Sequence, residues 1–344
     1  MKKKKLLIAG PYPPPYGGVS MHIKRLEEQV SGAYDIDVID ESRVVKENIF
    51  NIRTFSMGKY LLKVIRTDIV HIHSGILSFR LLHYCTAGIF FKKRVITIHG
   101  YEPGRGFIEK SLDRIMLNHC SRAIFVSKEI AGRLPVRKYI IKDAFLPPDI
   151  DSEEQLPGEI SSWIEKKKAQ GFAICTANAW RLDSHKNEDV YGLDLCILAA
   201  KKLKDQGIKA AFIFIVCEDT GVIPVSPYKE MIKAFALEDC FLLFESPLSF
   251  IRLILESDIV LRPTNTDGDA LTVREGLYMG KTVIASDVVQ RPQGTILFRN
   301  RDIDSLAREI EGVIHSDKKE PGKSDEYADH LSSPVNYYVN NIYS

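Results

Sequence analysis

Paired cysteines are missing from this chain. Its six cysteines, Cys85, Cys120, Cys175, Cys196, Cys217 and Cys240, are scattered, with no Cys-x-x-Cys among them. Most stand in apolar runs, which sets aside zinc and dithiol-redox readings and leaves buried thiols in a reducing cytoplasm as the expectation. No run of ~18 apolar residues occurs, so no stretch is expected to span a bilayer as a helix. The opening Met1–Gly10 carries four consecutive lysines and imitates an export signal. Its apolar run stops within roughly five residues at Gly10-Pro11, too short for an export core. There is no internal repeat of about 20–50 residues. Nor is there a basic motif interleaved with aromatics, so nucleic acid is not an expected partner.

An excess of one charge is lacking as well: the net is +2 over 344 residues. The balance hides an asymmetry. Residues 1–150 carry 25 Lys and Arg against 14 Asp and Glu, whereas the remainder carries 22 against 31. The basic half suits an anionic membrane surface or a phosphate-bearing substrate, or is a field of solvated lysines. At this length, with 45% hydrophobic residues, two domains are expected.

What is present is alternation. Short apolar runs follow longer helix-like segments, the pattern of βαβ units and a parallel sheet. Strands are expected at 5–9, 36–39, 69–73, 95–99 and 123–127, and again at 172–176, 211–217, 241–244, 258–261, 282–285 and 295–298. Pro147-Pro148 and the acidic run that follows interrupt the pattern, because proline continues neither element. This places a first domain at 1–150 and a second at 151–324. The polar tail 325–344 is expected either to return as a helix to the first domain or to fray.

Three constellations carry chemistry. The first strand ends in Gly10-Pro11-Tyr12-Pro13-Pro14-Pro15-Tyr16-Gly17-Gly18 before a helix-like segment. Paired glycines let a ligand approach the backbone, and a helix start attracts anions; the dinucleotide-binding fingerprint Gly-x-Gly-x-x-Gly is absent. Second, Arg181 and Lys186 stand five residues apart after a strand, placed to clamp a diphosphate with a planar fork and a point charge. Third, Asp267-Gly268-Asp269-Ala270-Leu271 leads, through a helix expected over 271–279, to Glu275. Carboxylates accept hydrogen bonds from sugar and ribose hydroxyls, and open α/β sheets bind ligands at the carboxyl ends of their strands. The pattern reads as a nucleotide-sugar site.

Taken in order, these motifs resemble glycosyltransferase family 4, retaining enzymes of the GT-B fold. The resemblance runs over nearly the whole chain: Gly17-Gly18, Asp68-Ile-Val-His71-Ile-His73, Val95-Ile-Thr-Ile-His99-Gly100, Ala123-Ile-Phe-Val-Ser127, Arg181 with Lys186, and Asp267-x7-Glu275 before Gly280-Lys-x-Val-Ile-Ala-Ser286. It implies an α/β architecture, two Rossmann-like domains facing each other across a cleft, the first for acceptor and the second for donor. It further implies that Arg181 and Lys186 neutralise the donor diphosphate and that Glu275 holds the ribose hydroxyls. Asp267 would contact the donor sugar beside Gly268, Asp269, Ala270 and Leu271. Gly17 and Gly18 would admit donor phosphate and acceptor, and His99 would lie near the transferred sugar.

Asp267 stands where the family usually has glutamate, and Asp269-Ala270 replaces an aromatic-glycine pair; both bear on which sugar is taken. The linker also lacks the family's usual Asn-Gly-Val-Asp. The implied activity is retaining transfer of a sugar from a nucleotide diphosphate, with a UDP-sugar favoured. The acceptor would be a glycan of surface-polysaccharide type, on a lipid-diphosphate carrier. A non-hydrolysing nucleotide-sugar epimerase and a non-catalytic nucleotide-sugar-binding scaffold are the alternatives. A cytoplasmic protein, peripheral at the inner face of the membrane, is expected. No cofactor or metal is expected, although Asp267-Gly-Asp269 has the form that binds Mn²⁺ in GT-A glycosyltransferases. His71 and His73 alternate along a strand and are expected on opposite faces, which argues against their sharing a metal.

Overall fold

The computed structural model describes residues 3–14, 16–101, 104, 106–218, 221–267, 270–316 and 337–343. They form two compact units, one of residues 3–146 with 337–343 and one of residues 147–316.

In the first unit β1 (Lys4–Gly10), β2 (Tyr34–Asp40), β3 (Phe50–Asn51), β4 (Ile69–Ile72), β5 (Lys93–Ile98), β6 (Arg122–Phe125) and β7 (Ile140–Ile141) make one sheet. Every pairing is parallel, in the order β3-β2-β1-β4-β5-β6-β7. Its helices are α1 (Gly18–Val30), α2 (Met57–Arg66), α3 (Leu77–Ile89), α4 (Phe107–His119) and α5 (Lys128–Gly132). Because crossover helices cover both faces, the central strands read as unbroken apolar runs. Alternate residues divide between the faces. Leu7, Ala9, Ile72 and Ile96 join one core with Tyr60, Val64 and Met116, whereas Leu6, Ile8, Ile69 and Val95 join a second core with Ile23 and Leu26. Tyr338, Ile342 and Tyr343, from a short helical turn near the C-terminus, are buried in that second core.

The second unit contains β8 (Ala173–Ala179), β11 (Ala210–Val216), β12 (Phe241–Phe244), β13 (Ile259–Arg262), β14 (Thr282–Ser286) and β15 (Ile296–Phe298). They are parallel, in the order β12-β11-β8-β13-β14-β15. A separate hairpin pairs β9 (Ser184–His185) with β10 (Glu188–Asp189). The helices are α6 (Gly158–Ala169), α7 (Leu193–Asp205), α8 (Ser226–Ala234), α9 (Phe250–Glu256), α10 (Leu271–Tyr278) and α11 (Ile303–His315). Phe212, Phe214 and Val216 pack with α7 and α11 on one face, and Ile213 and Ile215 pack with α6 on the other.

All eleven expected strands are present, most with ends shifted by one to three residues. In both sheets the chain starts at a central strand, runs outward one way, then returns and continues the other way. The direction changes between β1 and β4 and between β8 and β13. At those points the outgoing loops diverge and leave a crevice at the carboxyl ends of the strands.

Candidate functional site

In the second unit the chemistry gathers where β8 and β13 part. After β8 the chain turns through Trp180 and Arg181 while Leu182 is buried. Arg181 is 51% exposed and stands 4.0 Å from the Asp183 carboxylate. Lys186 is exposed too, but it occupies a shaped position that its sequence context did not announce. Lys186 and Asn187 are the two turn residues between β9 and β10, with φ of 53° and 64°. Positive φ at both central residues suits a two-residue turn whose twist matches the strands. The hairpin is tied back to the loop after β13: Asn265 N–H donates to the Val190 carbonyl at 3.0 Å, and Asn265 Nδ2 donates to the His185 carbonyl at 3.3 Å.

Asp267 lies on that same loop and is held from three sides. Arg262, closing β13, donates from Nε to Oδ2 at 3.0 Å and from Nη2 to Oδ1 at 3.1 Å. Thr264 Oγ1 donates to Oδ2 at 3.0 Å, and Arg291 Nη1 donates to Oδ2 at 2.8 Å. Burial alone would raise the carboxyl's pKa, but the Arg262 and Arg291 guanidiniums outweigh it and bring it down to about 2. Arg291 is only 2% exposed and is fixed by the Ser286 carbonyl, 3.1 Å from its Nε. Arg262 also rests over the Tyr191 ring at 5.5 Å. It is thus a half-buried partner of Asp267. Arg291 was not foreseen.

The helix expected over 271–279 is α10, Leu271–Tyr278, with Ala270 as its N-cap and Glu275 buried in its second turn. Gly268 and Asp269 lie outside the described residues. Two contacts set α10 against the sheet. Thr272 Oγ1 donates to Asn178 Oδ1 of β8 at 3.3 Å. A Cβ at Gly276 would come within 2.7 Å of Val283 Cγ2 and 3.3 Å of Val260 Cγ2, so glycine there lets the helix lie directly on β13 and β14. The Arg181 loop, the Lys186 hairpin, the Asp267 anchor and the start of α10 therefore share one edge of this unit.

The first unit presents a second constellation at the equivalent edge. Gly17 is the N-cap of α1 and Gly18 its first residue. Ser20 Oγ accepts from Gly17 N–H at 2.8 Å and donates to Gly17 O at 2.9 Å. A Cβ at Gly18 would meet nothing within 4 Å and one at Gly17 only Ser20 Oγ at 3.9 Å, so the backbone there is open to approach. His99, just beyond β5, is not isolated. Its Nε2 lies 2.9 Å from His73 Nδ1, and its ring centroid is 4.9 Å from that of His22 on α1. His71 and His73 do not point to opposite faces: residues two apart on a strand share a face, and these rings are 4.0 Å apart. Burial and mutual repulsion lower the pKa of His71, His73 and His99 well below the usual imidazole range, and burial lowers His22 to about 4. All four rings are neutral at pH 7.

No protein-family model matches the chain, and no curated protein matches it. Solved structures do. A glycosyltransferase from Rickettsia africae aligns over 98% of this chain and 96% of its own, with TM-score 0.69 and 16% identity. Anabaena HepE, solved in complex with UDP, aligns over 96% and 95%, with TM-score 0.67 and 15% identity. The chain has the GT-B fold. OtsA, a trehalose-6-phosphate synthase, shares this fold at TM-score 0.64 and 12% identity over 97% of both chains. At these identities the likeness fixes the GT-B architecture and leaves the chemistry to be argued from the residues.

Proposed function

We propose that this GT-B protein is a glycosyltransferase, of the family 4 type, that moves a sugar from a nucleotide diphosphate with retention of configuration. The observation that carries the reading is the edge of the second unit, where exposed cations on the β8 loop and hairpin share the strand ends with a buried glutamate on α10. Arg181 and Lys186 take the diphosphate, and Glu275 takes the ribose hydroxyls. Asp267 acts beside them: its Oδ2 accepts three hydrogen bonds and its Oδ1 one from Arg262, so it orients Arg262 and Arg291 at the donor-sugar end, which Gly268, Asp269, Ala270 and Leu271 also serve. HepE was solved with UDP and with UDP-glucose, which supports a UDP-sugar as donor.

As the anomeric C–O bond breaks, negative charge grows on the leaving diphosphate and positive charge on the sugar ring. Fixed cations aimed at the phosphate stabilise that transition state more than the ground state. Same-face attack by the acceptor hydroxyl, whose proton passes to the departing phosphate oxygen, then gives retention without a protein nucleophile. Gly17, Gly18 and His99 serve the acceptor and transferred-sugar end, and Arg181 and Lys186 neutralise the diphosphate in place of a metal.

The acceptor is a glycan, of surface-polysaccharide type and carried on a lipid diphosphate. No helix among the described residues is long and apolar enough to cross a membrane. The surface of α2 supports peripheral contact at the inner, cytoplasmic face instead. Met57, Leu61, Leu62 and Ile65 are exposed there beside Lys59, Lys63 and Arg66, a mixture suited to anionic lipid. Phe91, 95% exposed, follows α3 beside Lys92, whose Nζ donates to the Ile65 carbonyl at 2.8 Å.

The test is release of nucleotide from a panel of nucleotide sugars, with and without a lipid-diphosphate glycan. Acceptor-dependent release of UDP with an α-configured product from an α-configured donor is expected. An isomerised donor, or binding without turnover in every pairing, would overturn the proposal.

A further inference from the structure

Three of the histidines at the edge of the first unit come from three separate elements. His22 is on α1, His73 follows β4 and His99 follows β5. Each offers one ring nitrogen, and these three nitrogens all lie within 4.8 Å of one another. Gly10 permits the convergence, since a Cβ there would stand 2.6 Å from Ile23 Cδ1 and 3.0 Å from His73 Cβ.

The hydrogen bonds divide these rings into two kinds. His71, the fourth of the cluster, is saturated: Nδ1 meets the Tyr343 hydroxyl at 2.7 Å and Nε2 meets Thr97 Oγ1 at 2.8 Å. His22 is bonded at one nitrogen only. Its Nδ1–H donates to the Ala144 carbonyl at 2.7 Å, which fixes the tautomer and leaves a lone pair on Nε2. That is the arrangement in which metal-binding histidines are held by an outer carbonyl. His22 Nε2 and His73 Nε2 are both buried without a hydrogen-bond partner among the described residues. Of these, only His22 Nε2 can join a cation seated between His73 Nδ1 and His99 Nε2, since the two nitrogens of one imidazole point away from each other. A buried nitrogen without a partner calls for a bound species, because buried polar atoms are otherwise almost always satisfied.

We propose that His22, His73 and His99 bind a divalent transition-metal ion of the zinc class, with His71 outside the ligand set. Imidazole nitrogen suits zinc, and three histidines with a further position for solvent or ligand is a ligand set zinc accepts. The 2.9 Å between His73 Nδ1 and His99 Nε2 is now bridged by a single proton; a cation takes the place of that proton. Zinc–nitrogen bonds of about 2.0–2.1 Å in a tetrahedron put ligand nitrogens roughly 3.4 Å apart. Side-chain shifts of about an ångström therefore close the site. His99 is the half-buried member, so the ion enters from its side. Burial already keeps the rings in the neutral form that a metal requires. The proposal goes beyond the sugar-transfer reading and does not rest on it, since binding is measured without any donor.

The experiment uses the full chain without an affinity tag, stripped with a chelator and titrated with Co²⁺. One equivalent is expected, with the visible d–d bands of a four- or five-coordinate nitrogen site, displaced by Zn²⁺. His22→Gln and His99→Gln should each weaken uptake by more than the ~10–100-fold that loss of an outer partner alone costs. His119→Gln, on the exposed end of α4, should leave it unchanged. Circular dichroism of each metal-free variant confirms that it is folded, and His99→Gln decides the question if His22→Gln is not. Absence of stoichiometric binding, or identical titrations for wild type and a folded His99→Gln, would show a cluster that only packs.

Discussion

Asp267→Asn isolates the anchor at the donor edge. The substitution keeps the shape of the side chain and removes its charge, leaving Arg262 and the almost fully buried Arg291 facing each other without a counterion. Lowering a carboxyl pKa from 3.8 to about 2 corresponds to about 2.4 kcal/mol of stabilisation at neutral pH. The uncompensated buried arginine adds to the loss, so the second unit should lose roughly 3 kcal/mol. Both tryptophans, Trp163 and Trp180, belong to that unit, so urea unfolding followed by their fluorescence reports on it selectively.

The sign with pH follows from the depressed carboxyl. The unfolded chain binds a proton there below pH ~4 while the folded chain does not until pH ~2. The stabilisation is thus complete above pH ~4 and is lost as pH falls through that window. In Asp267→Asn this acid limb should vanish. A double-mutant cycle with Arg291→Met should give a coupling of at least about 1.5 kcal/mol, within the range for groups of one ionic network. A coupling below ~0.5 kcal/mol, or a single variant as stable as wild type, would refute the anchor.

Three further outcomes are expected. Gly276→Ala must push α10 off Val283 and Val260, costing about 1–3 kcal/mol in the same tryptophan-monitored unfolding and weakening donor binding by displacing Glu275. Lys186→Gly keeps the left-handed turn that the native lysine occupies at φ 53°; it should leave unfolding nearly unchanged while lowering turnover on the order of 10²–10³-fold, and full turnover in Arg181→Ala with Lys186→Gly would remove both cations from the mechanism. The metal-free first unit should weaken in mild acid: His22 titrates at about 4 when folded against 6.5 when exposed, so its contribution is intact above pH ~6.5 and falls by roughly 2 kcal/mol by pH 5. Hydrogen exchange of α1 and β4 measured between pH 7 and 5, corrected for intrinsic rates, checks it, and unchanged protection would contradict it.

The strands were legible because parallel sheets covered on both faces are written as apolar runs, and β11, buried at every residue, is the clearest. The two-residue edge strands β3 and β7 were not foreseen, since two residues give no periodicity. The Lys186 hairpin was missed for a different reason. Its turn is Lys-Asn where the usual signal is Asn-Gly, so nothing local marks two consecutive left-handed residues. The His71 and His73 reading failed on geometry: a period of two puts them together, and that shared face brings His73 next to His99.

Arg291 shows the limit most clearly. It lies 24 residues beyond Asp267, in an irregular loop after β14 and just before Pro292, with the composition of an ordinary solvated arginine. Only the crossing of β13 and β14 side by side brings the two loops together. Once it does, burial decides the outcome. A guanidinium with almost no solvent must find a carboxylate, and a carboxylate accepting three hydrogen bonds on one oxygen is no longer free to act as a simple sugar ligand. The motif located the acidic residue, but its partner changes the work that residue does. Replacing Arg291 should therefore alter which donor sugars bind even though the side chain has almost no exposed surface, and thermal-shift ranking of a nucleotide-sugar panel against Arg291→Met would show whether that order changes.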